Sequence, residues 1–258
     1  MQDGQRRPPA ADLVSLYTEL LVRAVSNTIY QDRAIDPWHG DFDPEARRTG
    51  RDWPAQAHSM AGHERLNATA MLVRRAVEEG VPGDVIETGV WRGGVCILMR
   101  GLLNALGEAH RLVFCADSFD GLPPPDLDRF PQDARSRLHL HEELAVTREQ
   151  VAENFRRYGL LGDNVRFLEG WFKNTLPTVR DRSFALIRLD GDMYESTMDG
   201  LENLYDSLSP GGFVVVDDYG AVAACAEAVQ AFRQARGIDA ELHVTDWTGV
   251  WWRKPPSD

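Results

Sequence analysis

The apolar positions of this chain follow two rhythms. From residue 84 onward, short runs rich in β-branched and aromatic residues occur at 84–90, 112–119, 165–171, 184–192, 212–218, 241–246 and 249–254. They alternate with stretches at about 94–106, 147–159, 195–208 and 221–236, whose apolar positions recur every three or four residues. Strands alternating with helices predict βαβ units on a mostly parallel seven-stranded sheet, an α/β fold. The last two runs are separated only by the turn around Trp247-Thr248-Gly249, too short for a crossover, so they must pair antiparallel. Ahead of the sheet, 11–26 and about 62–80 carry helical spacing and are expected to cover the sheet edge or form a lid. The stretches 27–60 and 120–145 are rich in Asp, Pro, Arg and His with little periodicity, as substrate loops commonly are. Residues 1–9 are polar and proline-bearing, and a frayed tail is expected there.

A length of 258 residues suits one α/β domain, read here as an N-terminal helical or lid region over 1–80 and a sheet core over 81–258 with a loop at about 120–146. Forty acidic against twenty-eight basic residues give a formal charge of -12, which repels a phosphate backbone or an anionic membrane, so neither nucleic acid nor membrane is an expected partner. Cys96, Cys115 and Cys225 lie far apart and form no CxxC pair, leaving zinc and redox motifs without support. No leader-like apolar segment follows the arginines near the start, and no apolar run approaches the ~18 residues of a membrane span, so a cytoplasmic location is expected.

Candidate chemistry gathers at the ends of the predicted strands. Glu87-Thr88-Gly89-Val90-Trp91-Arg92-Gly93-Gly94 follows the first strand and opens a helix with the spacing E-x-G-x-x-x-G. Glycines at 89 and 93 permit a tight turn and close approach to a ligand, while a helix N-terminus offers N–H groups to a carboxylate such as the methionyl group of S-adenosylmethionine (SAM). The dinucleotide pattern G-x-G-x-x-G is not matched, and a terminal antiparallel hairpin is typical of class I SAM-dependent methyltransferases rather than of nicotinamide-binding domains. Asp117 ends the second strand, where an acid can accept hydrogen bonds from both ribose hydroxyls, and Ser118 follows it. Phe119 is open to two roles, flanking an adenine or packing in the core. After the third strand, Gly170 and Trp171, with Phe172, fall where ligands of open α/β sheets collect; stacking on adenine and loop packing are both compatible with that position.

The fourth predicted strand ends in Asp190-Gly191-Asp192 and the fifth in Asp217-Asp218, so four carboxylates converge on one edge of the sheet. Such crowding calls for a cation or for protons, and hard oxygen donors select Mg²⁺ or Ca²⁺ over zinc, with Mg²⁺ the better match to catalysis. Asp192, Asp217 and Asp218 are the expected metal ligands, with Asp192 also the leading general base; Asp190 is assigned to capping or bracing the loop. Helix capping accounts for one or two of these acids rather than four. Among other residues, His139 and His141 are read as a solvated pair or a substrate contact, His58 and His63 as structural, and Tyr194 and Tyr219 as acceptor-pocket or packing residues.

Six stretches carry a family resemblance: 26–32 (SNTIYQD), 81–94 (VPGDVIETGVWRGG), 116–123 (ADSFDGLP), 154–177, 188–199 (RLDGDMYESTMD) and 208–219 (LSPGGFVVVDDY). On them the chain resembles the macrocin O-methyltransferase (TylF) family, which methylates sugar hydroxyls during antibiotic biosynthesis. The resemblance implies a class I methyltransferase fold, SAM as donor, Mg²⁺ at Asp192, Asp217 and Asp218, and a glycosylated natural product as acceptor. It also implies that Met60 reaches the cofactor and that the protein assembles as a homodimer or higher homo-oligomer. The same metal chemistry would serve a catechol-type methyltransferase acting on a phenol, and a non-catalytic SAM-binding protein would be expected to lack the acidic cluster.

Overall fold

The computed structural model describes residues 10–256, so the expectation for residues 1–9 falls outside the described residues. Seven strands, β1 (Asp84–Thr88), β2 (Val113–Asp117), β3 (Val165–Glu169), β4 (Phe184–Leu189), β5 (Leu208–Val216), β6 (His243–Val244) and β7 (Val250–Arg253), form one sheet in the order β3-β2-β1-β4-β5-β7-β6. β1 to β5 pair in parallel, and β7 runs antiparallel between β5 and β6, as its short return turn requires.

Eight α-helices accompany the sheet among the described residues: α1 (Ala10–Val25), α2 (Pro44–Thr49), α3 (His63–Glu78), α4 (Gly94–Ala105), α5 (Arg148–Arg157), α6 (Phe172–Thr175), α7 (Tyr194–Leu204) and α8 (Ala223–Ala235). The central strands are buried on both faces, and alternate residues feed two separate cores. Val85, Val113, Cys115 and Val215 join α1, α3, α4 and α5 on one side; Ile86, Phe114, Ile187 and Val214 join α7 and α8 on the other. The N-terminal helices therefore belong to a buried layer instead of lying loosely over the sheet, with Leu66 and Leu72 of α3 fully enclosed.

Helix ends follow local chemistry. At α2 the Asp43 carboxylate accepts the Glu45 and Ala46 N–H groups at 2.8 and 3.0 Å, Pro44 occupies the first turn, and Gly50 closes the helix in the left-handed region. α5 begins with a reciprocal capping box between Thr147 and Gln150. α7 has no cap of its own, because Met193 precedes it; the buried carboxylate of Asp133, sixty-one residues earlier, instead accepts the Tyr194 and Glu195 N–H groups at 2.7 and 3.2 Å. That contact fastens the loop between β2 and α5, which contains three short 3-10 turns, onto the helix that follows the acidic strand end.

The stretch 27–60 is likewise ordered by polar contacts. Arg47 is buried and donates to Asp52, Asp32 and the carbonyl of Ser26. Asp36 gathers the N–H groups of Trp38, His39 and Trp53.

Candidate active site

A cavity of about 390 Å³ opens at the carboxyl ends of β1 to β4. Met60, Gly89, Asp117, Ser118, Trp171 and Asp192 all line it, together with Asp190. Glu87, Thr88, Gly93, Gly170, Asp217 and Asp218 are not among the residues that line it. Gly89 has φ +79, and a Cβ there would fall 1.6 Å from the carbonyl oxygen of Asp190, so only glycine lets β1 and β4 close to this distance. Gly93, also left-handed, starts α4 against Val151.

The N–H groups around this turn are already engaged. Asp117 Oδ2 accepts Val90 N and Trp91 N at 2.7 and 3.3 Å, its Oδ1 accepts Phe119 N at 2.8 Å, and the His58 carbonyl accepts Gly94 N at 2.8 Å. Asp117 thus shapes the glycine turn while facing the cavity, and burial holds its carboxyl above the ordinary range against those three bonds. Ser118 Oγ donates to the Gly121 carbonyl at 2.6 Å, starting the loop whose Leu122, Pro123, Pro124 and Leu144 cover the cavity. Phe119 takes the core role: it is buried and meets Phe167 edge-on at 6.0 Å. Trp171 and Phe172 both face the cavity, beside Lys173, Glu195, Ser196 and Asp199. Burial, then the neighbouring Glu195, pushes Asp199 to about 6.

At the tips of β4 and β5 the acids converge. Asp190, Asp217 and Asp218 each offer an oxygen within 4.8 Å of the others. Asp192, expected among the ligands, meets them through its N–H instead, which donates to Asp218 Oδ2 at 3.0 Å with the residue in the left-handed region at φ 60; its carboxylate is not one of the three converging groups. Asp190, expected to brace the loop, is thus a full member of the group and also lines the cavity. Burial first and the surrounding acids second push Asp192 to about 7 and Asp190 to about 6, and drive Asp218 well above the carboxylate range. Asp217 moves the other way: against its burial, the guanidiniums of Arg188 and Arg65 hold it low.

Those two arginines were not singled out in the sequence. Arg188, wholly buried in β4, donates to Glu87 at 2.5 Å, to Asp190 at 2.6 Å and to Asp217. Arg65 of α3 pairs with Asp217 and, at 3.0 Å, with Asp246. Glu87 is therefore turned away from the cavity, bonded to Arg188 and accepting the Cys96 thiol at 2.8 Å. The signal was present for Arg188: a cation inside the otherwise apolar run Phe184–Leu189 must be buried and so must have acidic partners. Arg65 had no comparable signal, since its partners lie about 150 and 180 residues away.

The remaining candidates sort plainly. His58 bonds Tyr158 at 2.9 Å and His63 bonds Ser26 at 3.1 Å, both within the structure. His141 packs edge-on against Trp53 at 5.0 Å. Tyr194 meets the Phe130 ring at a tilt, with centroids 6.0 Å apart, and Tyr219 accepts from Gln230; neither lines the cavity.

A sheet in this order with β7 alone reversed, carrying a glycine turn after β1, an acid after β2 and a cavity over the strand tips, defines a class I SAM-dependent methyltransferase. The chain belongs to the macrocin-O-methyltransferase (TylF) family, whose profile matches residues 14–254, and it is a SAM-dependent O-methyltransferase. It is 50% identical over 245 residues, 94% of each chain, to the 8-demethyl-8-(2,3-dimethoxy-alpha-L-rhamnosyl)-tetracenomycin-C 4'-O-methyltransferase of Streptomyces olivaceus. It is 48% identical to the mycinamicin III 3''-O-methyltransferase of Micromonospora griseorubida, covering 93% of this chain and 97% of the other. Among solved structures, the O-methyltransferase NovP superposes with a TM-score of 0.90 at 45% identity, covering 94% of this chain and 99% of that one.

Proposed function

We propose that this protein transfers the methyl group of SAM to a hydroxyl of a sugar carried by a secondary metabolite, in an antibiotic-producing pathway, with Mg²⁺ as a required ion. The observation that carries the metal reading is charge balance. Six carboxylates, those of Glu87, Asp190, Asp192, Asp217, Asp218 and Asp246, lie around two guanidiniums; Arg65 and Arg188 pair with four of them, and neither Asp192 nor Asp218 makes a salt bridge among the described residues. An all-oxygen donor set with surplus negative charge suits a hard divalent cation. Asp217 and Asp218 would hold it together with Asp190, whose oxygen converges with theirs, and Asp192 stands beside them. Mg²⁺, when bound there, supplies positive charge that lowers the pKa of an acceptor hydroxyl. The sugar reading follows from a relative named for the 4'-O-methylation of a tetracenomycin carrying a dimethoxy-rhamnosyl group.

In the reaction the acceptor oxygen bonds to the methyl carbon, the sulfur–methyl bond breaks with its electron pair returning to sulfur, and the hydroxyl proton passes to the Asp192 carboxylate. Asp117 and Ser118 would hold the ribose end of the donor, with Gly89, Met60 and Trp171 lining the same cavity. Loops 120–146 and 27–60 exclude water and meet the acceptor. The proposal includes a cytoplasmic setting and a homo-oligomer, the latter supported by Leu13, Leu16 and Leu20, which recur on one face of α1 and are each more than half exposed.

The test combines calorimetry with turnover on a panel of glycosylated and phenolic acceptors. Asp192→Asn should abolish turnover while SAM affinity stays within about threefold, and Asp117→Ala should weaken SAM binding by about tenfold or more. EDTA should stop methylation and Mg²⁺ restore it. Full activity in EDTA, or a near-wild-type rate for Asp192→Asn, refutes the metal and base assignments.

A further inference from the structure

Residues 50–62 form a loop closed at its neck. Gly50, at φ +65, lies so close to Gly62 that a Cβ on Gly50 would sit 2.4 Å from Gly62 N, and a Cβ on Gly62 would sit 2.5 Å from the carbonyl carbon of Thr49. Within this loop Met60 is carried to the cavity wall.

One buried side chain meets the neck, the acid cluster and the β6–β7 turn together. Arg65 donates Nη2 to the Gly50 carbonyl at 3.2 Å, Nη1 to Asp217, and Nε to Asp246 Oδ2 at 3.0 Å. Both glycines that flank it leave it room: a Cβ on Gly50 would lie 2.2 Å from Arg65 Nη2, and one on Gly249 would lie 3.0 Å from its Cγ. Trp247 completes the junction, donating its indole N–H to the Thr49 carbonyl at 2.8 Å.

We propose that Arg65 is a positioning residue that pins the neck of the 50–62 loop, and with it Met60 on the cavity wall, to Asp217 and the β6–β7 turn. The planar guanidinium points separate N–H groups at three partners; an ammonium in the same place would satisfy the charge on Asp217 without bridging the rest. Asp217 is thereby oriented by the same contact that fixes the loop, so placement of the cavity wall and of the acid cluster is one event. Only the consequence for catalysis rests on the proposed function; the anchoring does not.

Hydrogen exchange read by mass spectrometry on the full chain tests this in Arg65→Lys, Arg65→Gln and Arg65→Ala. Amides of residues 50–62 should exchange about tenfold faster in all three, while those of α4 keep their wild-type protection. Methylguanidinium should restore protection in Arg65→Ala, and methylammonium should not. Wild-type protection of 50–62 in Arg65→Lys would overturn the idea by showing that charge alone suffices. So would acceleration of 50–62 and α4 together, which signals loss of the fold, or the absence of rescue. S-adenosylhomocysteine titrated into the same variants gives the separate readout: binding should weaken by about threefold or more where Met60 is released. A wild-type protein that fails to bind it would refute the cofactor reading while leaving the exchange result to judge the anchor.

Discussion

Asp133 joins the loop over the cavity to the helix beyond the acid cluster, and its removal has a calculable cost. The carboxylate is buried and accepts two N–H groups at the start of α7, at 2.7 and 3.2 Å, where the helix has no side-chain cap of its own. Replacing a capping acid by alanine costs about 1–2 kcal/mol. For a domain of this size each kcal/mol moves the melting temperature by about 2–4 °C, so Asp133→Ala should melt roughly 2–8 °C lower, and Asp133→Asn, which keeps one acceptor oxygen, about half as far. The effect should reach the cavity, because Leu122, Pro124 and Asp126 line it from the same loop. Loosening that wall lowers the fraction of molecules competent to bind, so SAM affinity should fall by about threefold. Scanning calorimetry and titration calorimetry measure the two effects. A melting point within about 1 °C of wild type would mean the α7 cap contributes nothing; an altered melting point with unchanged SAM affinity would mean the loop is held by other contacts.

Two further outcomes follow from local geometry. Gly89→Ala should leave no measurable SAM binding by calorimetry, because its Cβ would overlap the Asp190 carbonyl and force β1 and β4 apart; binding within a few-fold of wild type would contradict the packing. His58 is pushed from 6.5 to about 4 by burial and by the charges of Arg92 and Arg157, so the unfolded chain takes up its proton more readily than the fold. Stability should therefore fall as pH drops from about 6.5 towards 4, and His58→Gln should flatten that part of a denaturation-against-pH curve; an unchanged slope would remove His58 as the cause.

The sheet was legible because its signals are local. The runs at 84–90, 112–119, 165–171 and 184–192 contain β1 to β4, overreaching by two or three residues at the carboxyl ends where Gly89, Ser118, Gly170 and Gly191 turn the chain. β5 instead begins earlier than expected, at Leu208, and β6 shrinks from the expected 241–246 to two residues. α2 was missed although Asp43, Pro44 and Gly50 spell a cap, a first turn and a stop; its six residues are too short for apolar periodicity to register. The strand-tip acids could be named because each sits at the end of an apolar run. What stayed hidden was their neutralisation, since Arg65 meets Asp217 across 152 residues and no local pattern encodes that distance.

Asp192 holds a backbone conformation that L-residues enter at a cost of roughly 1–2 kcal/mol and that glycine adopts freely. Breeding this enzyme for heat tolerance alone would thus favour losing the very carboxyl group proposed to receive the proton. Only selection for turnover opposes that drift, so survivors of a thermal screen need sorting by methyl transfer at every round.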